Sequence, residues 1–176
     1  MRIGLFSGTN PQYNQDLRAL VNFAKEAERR GFDSVWLPNI FNLDAIGSCA
    51  IAGWETDHIE LGTAVTPTYP RHPGAIAQQA MTTQAACGGR FTLGIGLSHQ
   101  VVIEGMFGMS YDKPARHMTE YLQVLAPLLR GEAAEFEGET LTGKMQLDLP
   151  TVEPVPLLVA ALGPAMLKLA GTMAHG

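Results

Sequence analysis

Apolar residues along the chain fall into two alternating patterns. Short apolar runs, such as Ile3 to Phe6, Val35 to Leu37 and Leu157 to Ala161, read as strands covered on both faces. Longer stretches with apolar residues every three or four positions read as helices that cover them. The first strand spans Arg2 to Ser7, and Asn14 caps a helix whose Leu17, Leu20, Val21, Ala24 and Ala27 share one face until Gly31 stops it. Ser34 to Pro38 is the second strand. Asp44 caps the next helix, through Thr56, with Ile46, Ala50, Ile51 and Trp54 as its inner side. Ile59 to Thr66 is the third strand. Pro73 then opens a helix that turns Ile76, Ala77, Ala80 and Thr83 inward and ends at Gly88-Gly89.

The fourth strand, Phe91 to Ile95, runs into a loop from Gly96 to Lys113 that is longer than an ordinary connection and so is a candidate functional loop. Asp112 with Pro114 opens a fourth helix, carrying the stripe Met118, Tyr121, Leu122, Leu125, Leu128 and Leu129, with a kink expected at Pro127. Glu135 to Leu149 reads as a hairpin excursion, Val155 to Ala161 as a fifth strand, and Pro164 to Ala174 as a fifth helix. Strands alternating with helices, the strands apolar almost throughout, mean a parallel sheet under helices. Length alone favours an open doubly wound sheet, because a closed eight-fold barrel takes about 250 residues.

A chain of 176 residues with 46% hydrophobic content suffices for one buried core, and its net charge of -5 argues against nucleic acid as a partner. The apolar run after Met1-Arg2 is too short for a signal-peptide core, and no stretch approaches a membrane span, so a cytoplasmic protein is expected. Cys49 and Cys87 fall inside two predicted helices without metal-like spacing and read as buried, reduced thiols.

Chemistry concentrates where strands end. Gly94-Ile95-Gly96-Leu97-Ser98-His99 carries a strand into a glycine-spaced polar turn, which lets backbone approach a flat ligand, and Ala160-Ala161-Leu162-Gly163-Pro164 repeats the device before a helix. His99 is the leading proton donor, since imidazole titrates near neutral pH, and Glu104 in the same loop is the second candidate; a histidine bonding its own loop and a solvated carboxylate are the plain alternatives. Arg71 and His72, between Pro70 and Pro73, would meet an anionic ligand or simply cap a helix. Ser7 and Gly8 end the first strand at the same face, and Met106, Phe107 and Met109 would form an apolar lid or pack the loop down. A dinucleotide fingerprint fails, because His99 stands where its last glycine would be.

Six segments, in order and with compatible spacing, resemble the luciferase-like superfamily, in particular its actinobacterial coenzyme F-420-dependent oxidoreductases. They are Gly31 to Pro38, Ile59 to Pro67, Tyr69 to Pro73, Gly89 to His99, Tyr111 to His117 and Val159 to Pro164. The resemblance implies a TIM-barrel-like parallel (β/α) barrel, incomplete at about five of eight units: a single domain over 1–176, the N-terminal part of the barrel, with an insertion around 131–153. On that basis the chain is expected to be a fragment, a truncated gene product or a half-barrel needing a partner. The resemblance places Asn39, Ala64, Val65, Gly96, Ser98, Ala161, Leu162, Gly163 and Pro164 at the cofactor, with a cis non-proline bond common among relatives at the Ala64-Val65 position. Many relatives carry Asp-His directly after the second strand, where this chain has Asn39-Ile40.

The function implied is hydride transfer between the deazaflavin coenzyme F-420 and a small organic substrate in an expected homo-oligomer, without nucleic acid or membrane partners. FMN-dependent monooxygenation is the enzymatic alternative. A non-catalytic remnant or cofactor-binding half-barrel is the alternative of another class, because an open half-barrel exposes sheet edges.

Overall fold

Five parallel strand positions form an arc backed by helices in the structure, a computed structural model that describes residues 1–149 and 153–176. The arc runs β1 (Gly4–Phe6), β2 (Ser34–Leu37), then β3 (Glu60–Thr63) and β4 (Thr66–Pro67), then β5 (Phe91–Gly96) and β8 (Leu157–Val159). β3 and β4 are two parts of one strand path: β3 pairs with the start of β5, Leu61 opposite Phe91, and β4 with its end, Thr66 opposite Ile95. Between them the Ala64–Val65 peptide is cis. This is part of a barrel wall, not the open doubly wound sheet that length favours.

Each helix starts and stops for a local reason. Asn14 does not cap the first long helix; it lies in a separate turn, α1 (Pro11–Gln15), and donates through its side-chain amide to the Gly8 carbonyl. Asp16 caps α2 (Leu17–Arg29) instead, its carboxylate accepting from the amides of Arg18 and Ala19 at 2.9 and 3.1 Å. Asp44 caps α3 (Ala45–Trp54) as the sequence predicts, accepting from Gly47 at 2.8 Å. The buried side of α3 is Ala45, Ile46, Ser48, Cys49, Ala52 and Gly53, while Ile51 and Trp54 face out. Small residues win there because Gly53 lies against the Cys87 side chain, where a Cβ would overlap its sulfur.

α4 (Pro73–Ala86) buries Ile76, Ala77, Ala80 and Thr83 as predicted and ends at a turn through Gly88 and Gly89, whose φ angles of 58° and 86° suit glycine. Cys87 sits just beyond the helix rather than inside it, and both thiols are buried and free. Burial pushes the Cys49 thiol well up, and pushes Cys87 up to about 11 despite nearby Arg90. The predicted long loop holds a short helix, α5 (Gln100–Gly105).

α6 (Pro114–Leu129) buries its whole predicted stripe and runs through Pro127 to its end two residues later. Its N-cap is Lys113, in a left-handed conformation with φ 51°, not Asp112. The excursion is the antiparallel hairpin of β6 (Ala134–Glu137) and β7 (Thr142–Met145). Of the predicted insertion 131–153, residues 150–152 lie outside the described residues. α7 (Pro164–Met173) follows β8. No helix among the described residues is long and apolar enough to cross a membrane.

Candidate functional site

Parallel strands deliver all their carboxyl ends to one rim, and a cavity of about 580 Å³ opens there. One wall is the segment after β2, with Asn39, Ile40, Phe41, Asn42 and Asp44. The floor comes from Val65 and Pro67 at the bulge of the third strand path, the second wall from Pro70 and Arg71, and the third from Ser98, His99, Val102 and Phe107.

The floor is built by close backbone approach. A Cβ on Gly96 would stand 2.6 Å from Val65 Cγ2 and 3.2 Å from the Ala160 Cβ, and one on Gly94 would overlap the Thr63 carbonyl oxygen. Thr63 ties the same strands together: its hydroxyl donates to the Gly94 carbonyl at 2.7 Å and accepts from the Gly94 amide at 2.9 Å. Beyond Gly96, Ser98 adopts a left-handed φ of 64°, turning the chain over the rim. The hydroxyls of Ser7 and Thr66, at the ends of β1 and β4, are buried without a protein partner. Leaving such groups unpaired costs about 1–3 kcal/mol each.

Asn39 is oriented, not free. Its side-chain oxygen accepts from the Ala45 amide at 3.1 Å, so its amide NH2 is the group left to face a ligand. His99 caps α5 through its backbone, its side chain making no cap hydrogen bond, and it lines the cavity. Glu104 does not line the cavity; it accepts from Gln100 at 3.0 Å and from the Tyr111 amide at 3.4 Å. Arg71 pairs with Asp44 at 2.8 Å. His72 caps α4, accepting from Gly74 at 3.1 Å, while its Nε2 meets the Thr142 carbonyl at 3.0 Å.

Ala161, Leu162, Gly163 and Pro164 form the turn from β8 into α7 at the same rim, outside the cavity lining. Ala160 bonds to the Ile95 carbonyl at 2.9 Å and so holds that turn beside Gly96. Of the predicted lid, Phe107 reaches the cavity and stands 6.4 Å from Phe41, Met106 is exposed, and Met109 lines a neighbouring cavity of about 520 Å³. Ser7 and Gly8 are not among the lining residues.

An aromatic stack missed by sequence reading forms one wall of the neighbouring cavity, through Tyr69 and His117. Tyr69 lies on the His117 ring at 4.0 Å and 6°, and on Tyr111 at 5.1 Å. Burial raises the Tyr69 phenol to about 12, and it lowers His117, which bonds to the Thr68 hydroxyl at 3.1 Å. The signal lay in the spacing of the tyrosines and His117 around two prolines, but nothing local in it says that residues 69, 111 and 117 meet.

A family model described as luciferase-like monooxygenase matches residues 1–176. The 5,10-methylenetetrahydromethanopterin reductase of Methanolobus tindarius is 31% identical over 159 residues, covering 89% of this chain and 48% of the relative. The solved coenzyme F-420-dependent tetrahydromethanopterin reductase from Methanopyrus kandleri superposes with a TM-score of 0.82 at 26% identity, over 100% of this chain and 54% of its own. The FMN-bound oxygenating constituent of 3,6-diketocamphane monooxygenase from Pseudomonas putida shares the fold, with a TM-score of 0.76 at 16% identity over 90% of this chain and 51% of its own. The chain thus spans about half the length of these proteins.

Proposed function

This chain belongs to the luciferase-like monooxygenase family, and from that premise we propose that it carries the cofactor and substrate rim of an oxidoreductase that uses the deazaflavin coenzyme F-420. The observation that carries the proposal is the close fit of Gly96 against the Val65 and Ala160 side chains, which leaves no room for a larger residue beside the cavity that Val65 lines. The residues fit a planar polycyclic cofactor: small side chains at the bulge and strand end, and a strand-to-helix turn beside them. The F-420-dependent reductase from Methanopyrus kandleri, matched over this whole chain, supports the deazaflavin.

Val65 and Ala64 would back the ring, Gly96 and Ser98 would border it through their backbone, and the turn Ala161 to Pro164 would hold the rest of the cofactor. When bound, the deazaflavin supplies a carbon that gives or accepts hydride. Asn39 presents its amide NH2, held by the Ala45 contact, and neither gains nor loses a proton. His99 is then the lining residue able to give a proton to, or take one from, a substrate oxygen. Phe41 and Phe107 stand over the mouth and exclude water from that exchange. The segment 131–153 is an insertion in this scheme, its hairpin packed on α6 away from the floor.

Titrating the purified chain with oxidised coenzyme F-420 and separately with FMN, by cofactor fluorescence, tests the proposal. Binding of F-420 on the order of micromolar, and at least tenfold tighter than FMN, is the expected result. Tighter FMN binding favours monooxygenation, for which the fold shared with the FMN-bound Pseudomonas putida protein speaks. Binding of neither by a folded chain overturns both.

A further inference from the structure

Arg71 is the one arginine lining the cavity among the described residues, and its charge is already answered. Its guanidinium lies 2.8 Å from the Asp44 Oδ2, and Asp44 lines the same cavity. The other Asp44 oxygen is taken by the Gly47 amide at 2.8 Å, so the carboxylate is fixed at the start of α3 and cannot swing away without uncapping the helix. The Arg71 side chain is 22% exposed and that of Asp44 42%, so only the arginine side of the pair is largely shielded from solvent. A negatively charged ligand reaching Arg71 would also have to settle beside Asp44, and a cation reaching Asp44 would have to settle beside Arg71.

Most of the remaining mouth is apolar. Phe41 and Phe107 pack as a tilted pair with ring centroids 6.4 Å apart, 59% and 44% exposed, so a ligand settling against the pair covers aromatic surface. The other polar lining residues, Asn39, Asn42, Ser98 and His99, carry no carboxylate or guanidinium, so Asp44 and Arg71 hold the fixed charges of the lining among the described residues.

We infer that Asp44 and Arg71 act together as a charge filter, so that the substrate of this site is an uncharged molecule. The inference deepens the proposed oxidoreductase function and rests on it only for the word substrate, since the filter acts on binding.

Binding, not turnover, tests the filter. Cyclohexanol, cyclohexanecarboxylate and cyclohexylammonium share one apolar body and differ in charge. Their dissociation constants are measured by ligand-observed NMR at pH 8, above the ordinary titration range of imidazole. The native chain should bind cyclohexanol at least tenfold more tightly than either ion. Asp44→Asn keeps a side-chain oxygen for the Gly47 amide and removes the charge, so it should strengthen carboxylate binding at least tenfold. Arg71→Met should do the same for the ammonium ion, which keeps the test open if one variant fails to fold. Equal binding of all three by the native chain, or a charge preference that neither folded variant alters, overturns the inference. A parallel titration with coenzyme F-420 separates the two readings. Failure of F-420 to bind beside an intact charge preference overturns the cofactor assignment and leaves the filter standing, whereas F-420 binding without the preference overturns the filter alone.

Discussion

Gly96 and Val65 touch so closely that a methyl group on the glycine would stand 2.6 Å from Val65 Cγ2. That distance can open only if Val65 turns or the bulge moves, so the contact reports directly on the floor of the cavity. Gly96→Ala should weaken cofactor binding at least tenfold while the chain remains folded, because the obstacle is the end of a side chain. Gly94→Ala meets the Thr63 carbonyl oxygen in the backbone instead and should cost about 1–3 kcal/mol of stability. Gly105→Ala, at the open end of α5 with nothing within 4 Å, should change neither. Cofactor titration together with urea unfolding of the three variants separates these outcomes.

The hairpin hangs on one carboxylate. Glu120 of α6 accepts from the amides of Glu139, Thr140 and Leu141 at 3.1, 2.7 and 3.1 Å and from the Thr140 hydroxyl at 2.7 Å. Burial alone would raise the Glu120 carboxyl, but these four bonds outweigh it and hold the group below the usual carboxylate range. Glu120→Gln turns an amide NH2 toward the same donors and should cost about 2 kcal/mol, with faster hydrogen exchange at residues 139–141. Unchanged exchange there would mean that β6 and β7 are held by their own pairing.

The alternation of strands and helices, the inner faces of α4 and α6, and the hairpin were legible because each follows from residues close in sequence: Ile76, Ala77 and Ala80, or Met118 to Leu129, repeat at helical spacing. Local pattern failed where contacts between distant residues decide. Ile51 and Trp54 look like the inner side of α3, yet Ala52 and Gly53 face in, because Cys87 leaves no room for larger groups. Asn14 and Asp16 are equally good caps by type, and the Gly8 carbonyl claims the first. In the site, the strand-end turns at Gly96 and Ser98 were readable, whereas the pairing of Arg71 with Asp44, 27 residues away, was not. Glu104 shares the functional loop with His99, but α5 turns it away from the cavity.

Acid should loosen the aromatic wall before it loosens the hairpin. His117 is buried against Tyr69 and Tyr121, and burial lowers its pKa from the ordinary 6.5, with Glu120 opposing. A histidine held below its unfolded value lends stability that is full above that value and is lost as pH falls through the folded one. The folded chain should therefore lose stability on acidification from about pH 6.5, where the unfolded histidine begins to take up protons. The Glu120 contribution, from a carboxyl lowered from 4.5, should fade only below that second value. His117→Gln should remove the upper step and leave the lower one in urea unfolding at a series of pH values. A native upper step that survives the substitution would assign it to another group.

A capping histidine is testable without reference to its charge. His72 accepts from the Gly74 amide through Nδ1 and meets the Thr142 carbonyl through Nε2, joining the start of α4 to the hairpin. His72→Ala loses both contacts and should cost about 1 kcal/mol or more, while His72→Asn restores a cap but cannot reach Thr142. Thermal unfolding should therefore rank native above Asn above Ala. Equal Asn and Ala variants would show that the link to Thr142, rather than the cap, holds this bend.

In the proposed reaction, proton transfer depends on His99. It follows the end of β5 and lines the cavity, and its backbone starts α5, so the side chain can change without dismantling the turn. His99→Ala should lower turnover of an alcohol or ketone about 10²–10⁴-fold in a preparation that binds coenzyme F-420 and is active. Cofactor affinity should move far less, because in the proposed reading Val65, Gly96 and Ala160, not His99, would lie beneath the ring. Added imidazole should restore part of the lost rate by entering the space the side chain leaves, and a structural role for His99 would give no such rescue. Glu104→Gln serves as the comparison: its carboxylate is engaged by Gln100 and Tyr111 outside the cavity, so a loss as large as that of His99→Ala would move the proton-transfer role to α5.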